Sequence, residues 1–236
     1  MSYADRILNV KNQVTDKALV KRRRGQIVAA AVALFAEQGF YRTTVQEITA
    51  RAGVSAGLVY RYVRDKEDLL LLSILDVLDS YATEVPNAMA GIDDPLERCC
   101  RAFHAYCEVV DARRAATVLA YRSTKSLPPE RRQFVKDAEA DTNRLIESCI
   151  QDCIDQGVFR PIDATLTTYQ LVMFAHAWAL KHWCLGRKYT LEDYVAQGLD
   201  LFIHAVLTEK GWAHLDACRR ERADFPCAVV ARTRTA

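Results

Sequence analysis

From Ile27 onward the apolar residues fall at 27, 30, 31, 34 and 35, the i, i+3, i+4, i+7, i+8 stripe of an amphipathic helix. Gly39 is placed to stop it. A second short helix is predicted over 45–52, with Thr44 at its N-cap and Glu47 three residues on, the spacing of a capping box. After a tight break at Gly53-Val54, Ser55 can cap a third helix over 56–63. Two short helices joined by a three- or four-residue turn containing Gly make a helix-turn-helix. Asp65-Lys66-Glu67 then opens a fourth helix whose core, Leu69 to Leu72, Ile74, Leu75, Val77 and Leu78, is apolar on nearly every side. Such a helix is buried all round, and Pro86 is expected to end it. Asp94-Pro95 starts a fifth, with Pro in the first turn, and further helices follow over 112–126, 128–157, 163–186 and 191–210. About nine helices and no convincing strand predict an all-α chain. Residues 1–20 lack an apolar period and read as a mobile arm, and the tail from Gly211 is expected to fray.

Composition agrees with this picture and narrows it. The chain has 236 residues, half of them apolar and 26% charged, which suits one large globular domain or two smaller ones. Nine Gly and six Pro, scattered rather than clustered, argue against a turn-rich β-fold. The N-terminus shows no continuous apolar segment of a secretory signal. The longest uncharged run, 164–180, carries Thr165, Thr167, Thr168, Gln170 and His176 and falls short of the roughly 20 apolar residues of a membrane span. A soluble, cytoplasmic protein is expected. Eight cysteines (99, 100, 107, 149, 153, 184, 218 and 227) are then expected to be free thiols in a reducing compartment. No CxxC pair exists, which removes the usual zinc patterns. Cys149 and Cys153 would share a helix face, but small buried thiols ordinarily pack as hydrophobes. There is no glycine-rich phosphate loop, metal-ligand cluster of recognised spacing or nucleophile elbow. His176 and His182 stand six apart and His104 stands alone, so structural histidines are expected. The expectation is a non-enzyme without metal or cofactor.

The net charge of +2 hides an uneven distribution. Residues 1–66 hold twelve Lys/Arg against five Asp/Glu, and the rest hold twenty against twenty-five. A basic N-terminal quarter on an acidic remainder suggests that the first part meets a polyanion. A solvated charged face is the plainer reading of any single cluster, and only a motif can decide.

That motif is the stretch Thr43 to Lys66, TTVQEITARAGVSAGLVYRYVRDK. It resembles the DNA-binding segment of the TetR/AcrR family of transcriptional regulators. The shared elements are the Thr pair before the second helix, the Ala-Gly-Val-Ser turn, Gly57, Tyr60-x-Tyr62, Lys66-Glu67 before a leucine-rich helix, and Gly39-Phe40-Tyr41 after the first helix. The resemblance covers about 27–71. Thr49 stands where Ala is usual and Val63 where Phe is usual, both changes in packing between helices. In a helix-turn-helix the second helix of the pair lies in the major groove with its N-terminal residues at base edges. Ser55, Ala56 and Gly57 would begin that helix, with Gly57 allowing close backbone approach and Ser55 donating to a phosphate or base. Tyr60 and Tyr62 offer hydroxyls to phosphates, although core packing is the competing reading for one of them. Lys66 supplies a point charge at the N-terminus of the fourth helix, and Thr44 also suits a phosphate. Gln46 and Arg61 could read adenine and guanine edges. The run Lys21-Arg22-Arg23-Arg24 either adds backbone or minor-groove contacts or only solubilises the arm.

The resemblance implies four regions: a flexible basic arm over 1–22, a three-helix DNA-binding domain over 23–66, an effector-binding and dimerisation domain over 67–210, and a tail over 211–236. It also implies a homodimer on a double-stranded, palindromic operator, since one small helix-turn-helix contacts few base pairs. In this family the last two helices form the dimer interface, which here points to Tyr169 and Trp183 on 163–186 and to Val195, Leu199, Phe202 and Val206 on 191–210. The middle helices enclose a small-molecule effector pocket, for which Phe103, Tyr106, Cys107, Tyr121, Phe174 and Trp178 are the candidates. The segments around 121–126, 178–183 and 189–194 look like a subgroup of regulators of fatty-acid, aromatic or steroid breakdown, some of which sense acyl-CoA thioesters. The family's default is repression relieved by an apolar effector. A helical adaptor binding a protein through 1–66 is the alternative, with a small-molecule enzyme behind it.

Overall fold

A computed structural model describes Tyr3, residues 17–61 and 63–221, and Phe225, with only the backbone for residues 17–21. Most of the expected arm (residues 1–2 and 4–16), Tyr62, Cys227 and most of the residues after 221 lie outside the described residues. Eleven α-helices occur among those described: α1 (Lys17–Gln38), α2 (Val45–Ala52), α3 (Ala56–Val59), α4 (Lys66–Met89), α5 (Pro95–Ala112), α6 (Arg114–Ser123), α7 (Pro129–Asp155), α8 (Ala164–Leu180), α9 (His182–Leu185), α10 (Leu191–Val206) and α11 (Glu209–Glu221). A single 3₁₀ turn over Thr124–Ser126 follows α6. The only strand-like pairing among the described residues is an isolated antiparallel bridge, Phe159 with Leu207. No helix described is long and apolar enough to cross a membrane.

The local rules account for most of these elements. The predicted stripe on α1 is buried at Ile27, Ala30, Ala31 and Phe35, and Gly39 ends the helix with φ 86°. Leu69 to Leu72, Ile74, Leu75, Val77 and Leu78 of α4 are all buried. Pro95 opens α5 beneath an Asp94 cap, whose Oδ1 accepts the Glu97 N–H at 2.8 Å.

Several boundaries differ from expectation. α1 begins at Lys17, so the basic run Lys21 to Arg24 is helical rather than part of an arm. The third helix is one turn, Ala56–Val59, and gives way to a turn at Tyr60 and Arg61. Pro86 lies inside α4, which runs on to Met89. Only one helical hydrogen bond is lost there, and Gly91 in the left-handed region (φ 75°) ends the segment instead. The helix expected over 163–186 breaks at Lys181, and the helix expected to reach 210 ends at Val206. Beyond it the part of the expected frayed tail up to Glu221 is helical, in α11, anchored by the fully buried Leu215 and by Gly211, where a Cβ would meet the Val158 carbonyl oxygen at 2.2 Å. Cysteines 99, 107, 149, 153, 184 and 218 are thiols as expected, but Cys100 is disulfide-bonded.

The chain forms two compact units. One gathers the chain up to Ser80 with Arg113–Glu139, and the other gathers Tyr81–Ala112 with the chain from Ala140. Compactness therefore does not follow boundaries at 66 and 210: α4 and α7 each contribute residues to both units.

Candidate functional site

In the first unit, α2 starts under a complete capping box. The Thr44 hydroxyl accepts the Glu47 N–H at 3.2 Å, and the Glu47 carboxylate accepts the Thr44 N–H at 2.7 Å. Gly53, in the left-handed conformation (φ 64°), closes α2 with its N–H on the Ala50 and Thr49 carbonyls. Ser55 then caps α3 by accepting the Leu58 N–H at 3.3 Å. Val59 and Ile48 are fully buried and hold both helices down, while Ser55, Ala56, Gly57, Tyr60 and Arg61 are exposed. A Cβ built on Gly57 meets nothing within 4 Å, so no packing demand inside the chain explains the glycine. The unusual Thr49 is buried but satisfied, its hydroxyl donating to the Gln46 carbonyl at 2.7 Å. Val63, the other departure, is buried.

Other predicted contacts have partners within the chain. The Thr44 hydroxyl also donates to Glu47 Oε2 at 2.8 Å, so a phosphate would compete with its own cap. Lys66 Nζ donates to the Tyr41 carbonyl at 3.2 Å and sits 4.6 Å from the Phe40 ring centroid, tying the α1–α2 turn to the start of α4. The N–H of Asp68 in that first turn goes to Asp65 Oδ1 at 2.7 Å. Gln46 is exposed. A feature missed by sequence reasoning is the network on Asp68. This fully buried carboxylate accepts the Arg64 N–H at 2.8 Å and pairs with the Arg64 and Arg131 guanidiniums. Arg131 follows Asp68 by more than sixty residues, so no local signal announces the pair.

The second unit assembles most of the effector candidates. Tyr106 stacks on Tyr81 at 4.0 Å between ring centroids, and both hydroxyls lie 3.3 Å from His176 Nε2. Phe103 packs on Phe174, Phe174 stacks on Tyr194 at 4.3 Å, and Tyr194 leans on Trp178. Gly198 makes room for this cluster, because a Cβ there would sit 2.2 Å from the Phe174 ring. Trp178 Nε1 donates to Asp111 at 2.6 Å, and the Tyr194 hydroxyl to the Phe174 carbonyl at 2.7 Å. Phe103, Tyr106, Cys107 and Trp178 are buried. Burial pushes the Cys107 thiol far above its ordinary range and Tyr194 up to about 12. Tyr121 belongs to the first unit and is half-exposed. Sequence reasoning missed Tyr81 in this cluster and, on α7, a buried Asn143. Asn143 is buried with neither amide atom hydrogen-bonded, a costly state for a polar side chain.

His176 gives this cluster a pH signature. Burial pushes its pKa down from 6.5 to about 4. The unfolded chain therefore takes up a proton below about pH 6.5 that the folded chain refuses until about pH 4, and stability is lost as pH falls through that window. At pH 5 the loss relative to pH 7 should be about 2 kcal/mol. Urea midpoints at the two pH values should show this slope in the wild type and lose it in His176→Gln.

The dimer candidates divide. Tyr169 and Trp183 are exposed, Phe202 is half-buried, and Val195, Leu199 and Val206 are buried within their own chain. Leu166, Tyr169 and Met173 form an exposed apolar row on α8, and Leu201 is exposed on α10. The fold also brings together Asp94, His214 and Cys218, whose only sequence signal was the His-x-x-x-Cys spacing on α11.

Residues 27–72 match the family described as bacterial regulatory proteins, tetR family, and residues 93–183 match the tetracyclin repressor-like C-terminal domain. The chain is 52% identical over 203 residues to the HTH-type transcriptional regulator HbdR of Aromatoleum sp. (strain CIB), covering 86% of this chain and 89% of that one. It is 30% identical over 146 residues to the HTH-type transcriptional repressor KstR2 of Mycobacterium tuberculosis, covering 60% of this chain and 72% of that one. A tetR-family regulatory protein from Rhodococcus RHA1 shares the fold with a TM-score of 0.71 at 22% identity, covering 83% of this chain and all of the other. Regulators of this family bind DNA operators, and members are homodimers that bind small-molecule effectors. With a helix-turn-helix whose exposed face is free of packing duty, and with a relative this similar over most of its length, the chain belongs to the TetR family and is a DNA-binding transcriptional regulator.

Proposed function

We propose that the protein is a homodimeric repressor, released from a palindromic operator by a small apolar effector, and that it acts in the cytoplasm without catalysis of its own. One observation carries the DNA side of this reading: α3 is pinned through Val59 while Ser55, Ala56, Gly57, Tyr60 and Arg61 face outward. Residues 23–66 would then be the reading module, with Thr44, Gln46 and Lys66 at its margins. Tyr62 is carried over from the resemblance. Residues 67–210 would be the effector and dimer module. The exposed row Leu166, Tyr169, Met173, with Trp183 and Leu201, is the surface a second copy would cover.

The effector would be read by the aromatic cluster. Phe103, Tyr106, Phe174 and Trp178 supply apolar faces, and Tyr81 and His176 supply polar handles. A ring-bearing carboxylic acid or its acyl-CoA thioester suits that set. KstR2, a relative, is described as a ketosteroid transcriptional regulator. α4 carries both Tyr81 and, at its start, Lys66 and Asp68, so a ligand that prefers a shifted α4 would disturb the reading module. Such a ligand can relieve repression only by its difference in affinity between the two states.

Selection of bound sequences from random duplex DNA tests the core of this. A palindrome with half-sites about one helical turn apart, or a multiple of it, is expected. Log affinity should fall with log salt by about 0.9 per phosphate neutralised. Enrichment of no sequence, with salt-independent binding, would leave a protein-binding adaptor as the better reading. Titrating candidate thioesters against the selected duplex in a mobility shift then tests the effector.

A further inference from the structure

Helix α11 carries a mixed set of donor atoms to the start of α5. His214 and Cys218 stand four apart and share one face of α11. Asp94, 120 residues before His214 in the chain, divides its two oxygens. Oδ1 caps α5 through the Glu97 N–H, and Oδ2 lies 2.5 Å from His214 Nε2. Cys218 Sγ is 3.6 Å from the same nitrogen. The three donor atoms lie within 4.8 Å of one another, and all three residues are half-buried.

Their placement is held from several sides. Leu215, between the two donors of α11, is fully buried. Thr208 fixes the approach to α11, its N–H and hydroxyl bonding the Val158 and Gly157 carbonyls at 3.0 and 2.6 Å. Gly211 lies too close to the Val158 carbonyl for any side chain. On the other side, the cap bond at Oδ1 orients the Asp94 carboxylate and leaves Oδ2 as the donor, the part an outer-shell partner plays in a metal centre.

We propose that Asp94, His214 and Cys218 hold a zinc-type divalent cation. One oxygen, one imidazole nitrogen and one sulfur form a borderline-soft set that suits zinc and its neighbours and is foreign to calcium or magnesium, which take oxygen ligands. Tetrahedral zinc, with bonds of about 2.0–2.3 Å, sets its donor atoms about 3.3–3.8 Å apart. The nitrogen–sulfur distance already falls in that range, and the oxygen–nitrogen pair opens by about 1 Å when the cation replaces the shared proton. On binding, the Cys218 thiol releases its proton to water, and His214 binds through a neutral Nε2 with its proton on Nδ1. Three protein donors leave a fourth position for water or a small ligand. The cation would clamp α11 to the head of α5. This site stands independently of the reading of α3 as a DNA contact.

Cobalt titration of the reduced full-length protein tests it. One equivalent of Co²⁺ should bind per chain with a thiolate-to-cobalt charge-transfer absorption, and Zn²⁺ should displace it. Cys218→Ser should abolish the absorption. Asp94→Asn, whose side-chain oxygen can still cap α5, should weaken cobalt binding at least tenfold while leaving the helical circular dichroism unchanged. Zn²⁺, but not Ca²⁺, should raise the melting temperature of the wild type. Absence of the absorption in the wild type overturns the proposal. So does an undiminished absorption in Cys218→Ser, which would place the metal on another thiol. Should Cys218→Ser fail to fold, unchanged cobalt affinity in Asp94→Asn overturns it equally.

Discussion

Replacing Asp68 with Ala should destabilise the folded protein by about 3–5 kcal/mol at fixed protein concentration, the cost of breaking a buried ion pair by removing one partner. The expectation rests on an asymmetry between its two partners. The Arg64 side chain is 70% exposed and can return to water, so its ion pair contributes little. The Arg131 side chain is only 15% exposed, its Nη1 makes no hydrogen bond, and its other ion pair, to Asp65 at 3.5 Å, is longer and involves a 46% exposed carboxylate that water screens. Without Asp68 its charge stays in a poorly hydrated place. The Arg64 backbone N–H, which the same carboxylate accepts, loses its partner too. Urea denaturation followed by helical circular dichroism measures the loss. Pairing Asp68→Ala with Arg131→Met should recover a good part of it, because a missing pair costs less than half a pair. A loss below about 1 kcal/mol in the single variant would mean that Arg131 finds water after all.

The Asp68 network also marks where sequence reading stopped. Signals within one or two helical turns were legible: the 27–35 stripe, Thr44 with Glu47, the Ser55 cap, Gly39 and Gly53 as helix ends, and Pro95 opening α5. Each is a hydrogen bond or backbone preference settled among neighbours. Pro86 shows how such a preference is overruled, since one missing N–H in α4 is outweighed by packing that buries Val85. α3 shows the reverse. The Ser55 cap was visible, but the chain turns out of the helix after Val59 rather than running to 63. What joins distant residues stayed hidden. The tie of Lys66 to Tyr41 had no local signal, and no motif singled out Tyr81, which stacks on Tyr106 beside His176. Val195, Leu199 and Val206, which the family resemblance pointed to as interface, are buried within their own chain, and periodicity reports an apolar face without saying which neighbour covers it.

The same distinction between local and distant demands makes Gly57→Glu the decisive variant for function. Gly57 is exposed, meets no atom within 4 Å of an added Cβ, and does not need a left-handed backbone. Within the chain, a side chain there should cost nothing, and leaving glycine in a helical turn should gain up to about 1 kcal/mol. Against DNA the outcome is opposite. The side chain holds the start of α3 away from the base edges, and its carboxylate faces phosphates, a like-charge juxtaposition worth several kcal/mol. A homodimer meets the penalty in both half-sites, so operator affinity should fall by about a thousandfold or more, close to the gap between specific and non-specific binding. Gly57→Ala, which adds bulk without charge, should fall between the two. Fluorescence anisotropy on the selected duplex at one salt concentration reads the affinity, and a thermal melt of the same preparations reads the fold. Unchanged affinity in Gly57→Glu with an unchanged melt would show that α3 does not approach the duplex, and the exposed face around Ser55 and Arg61 would then need a different partner.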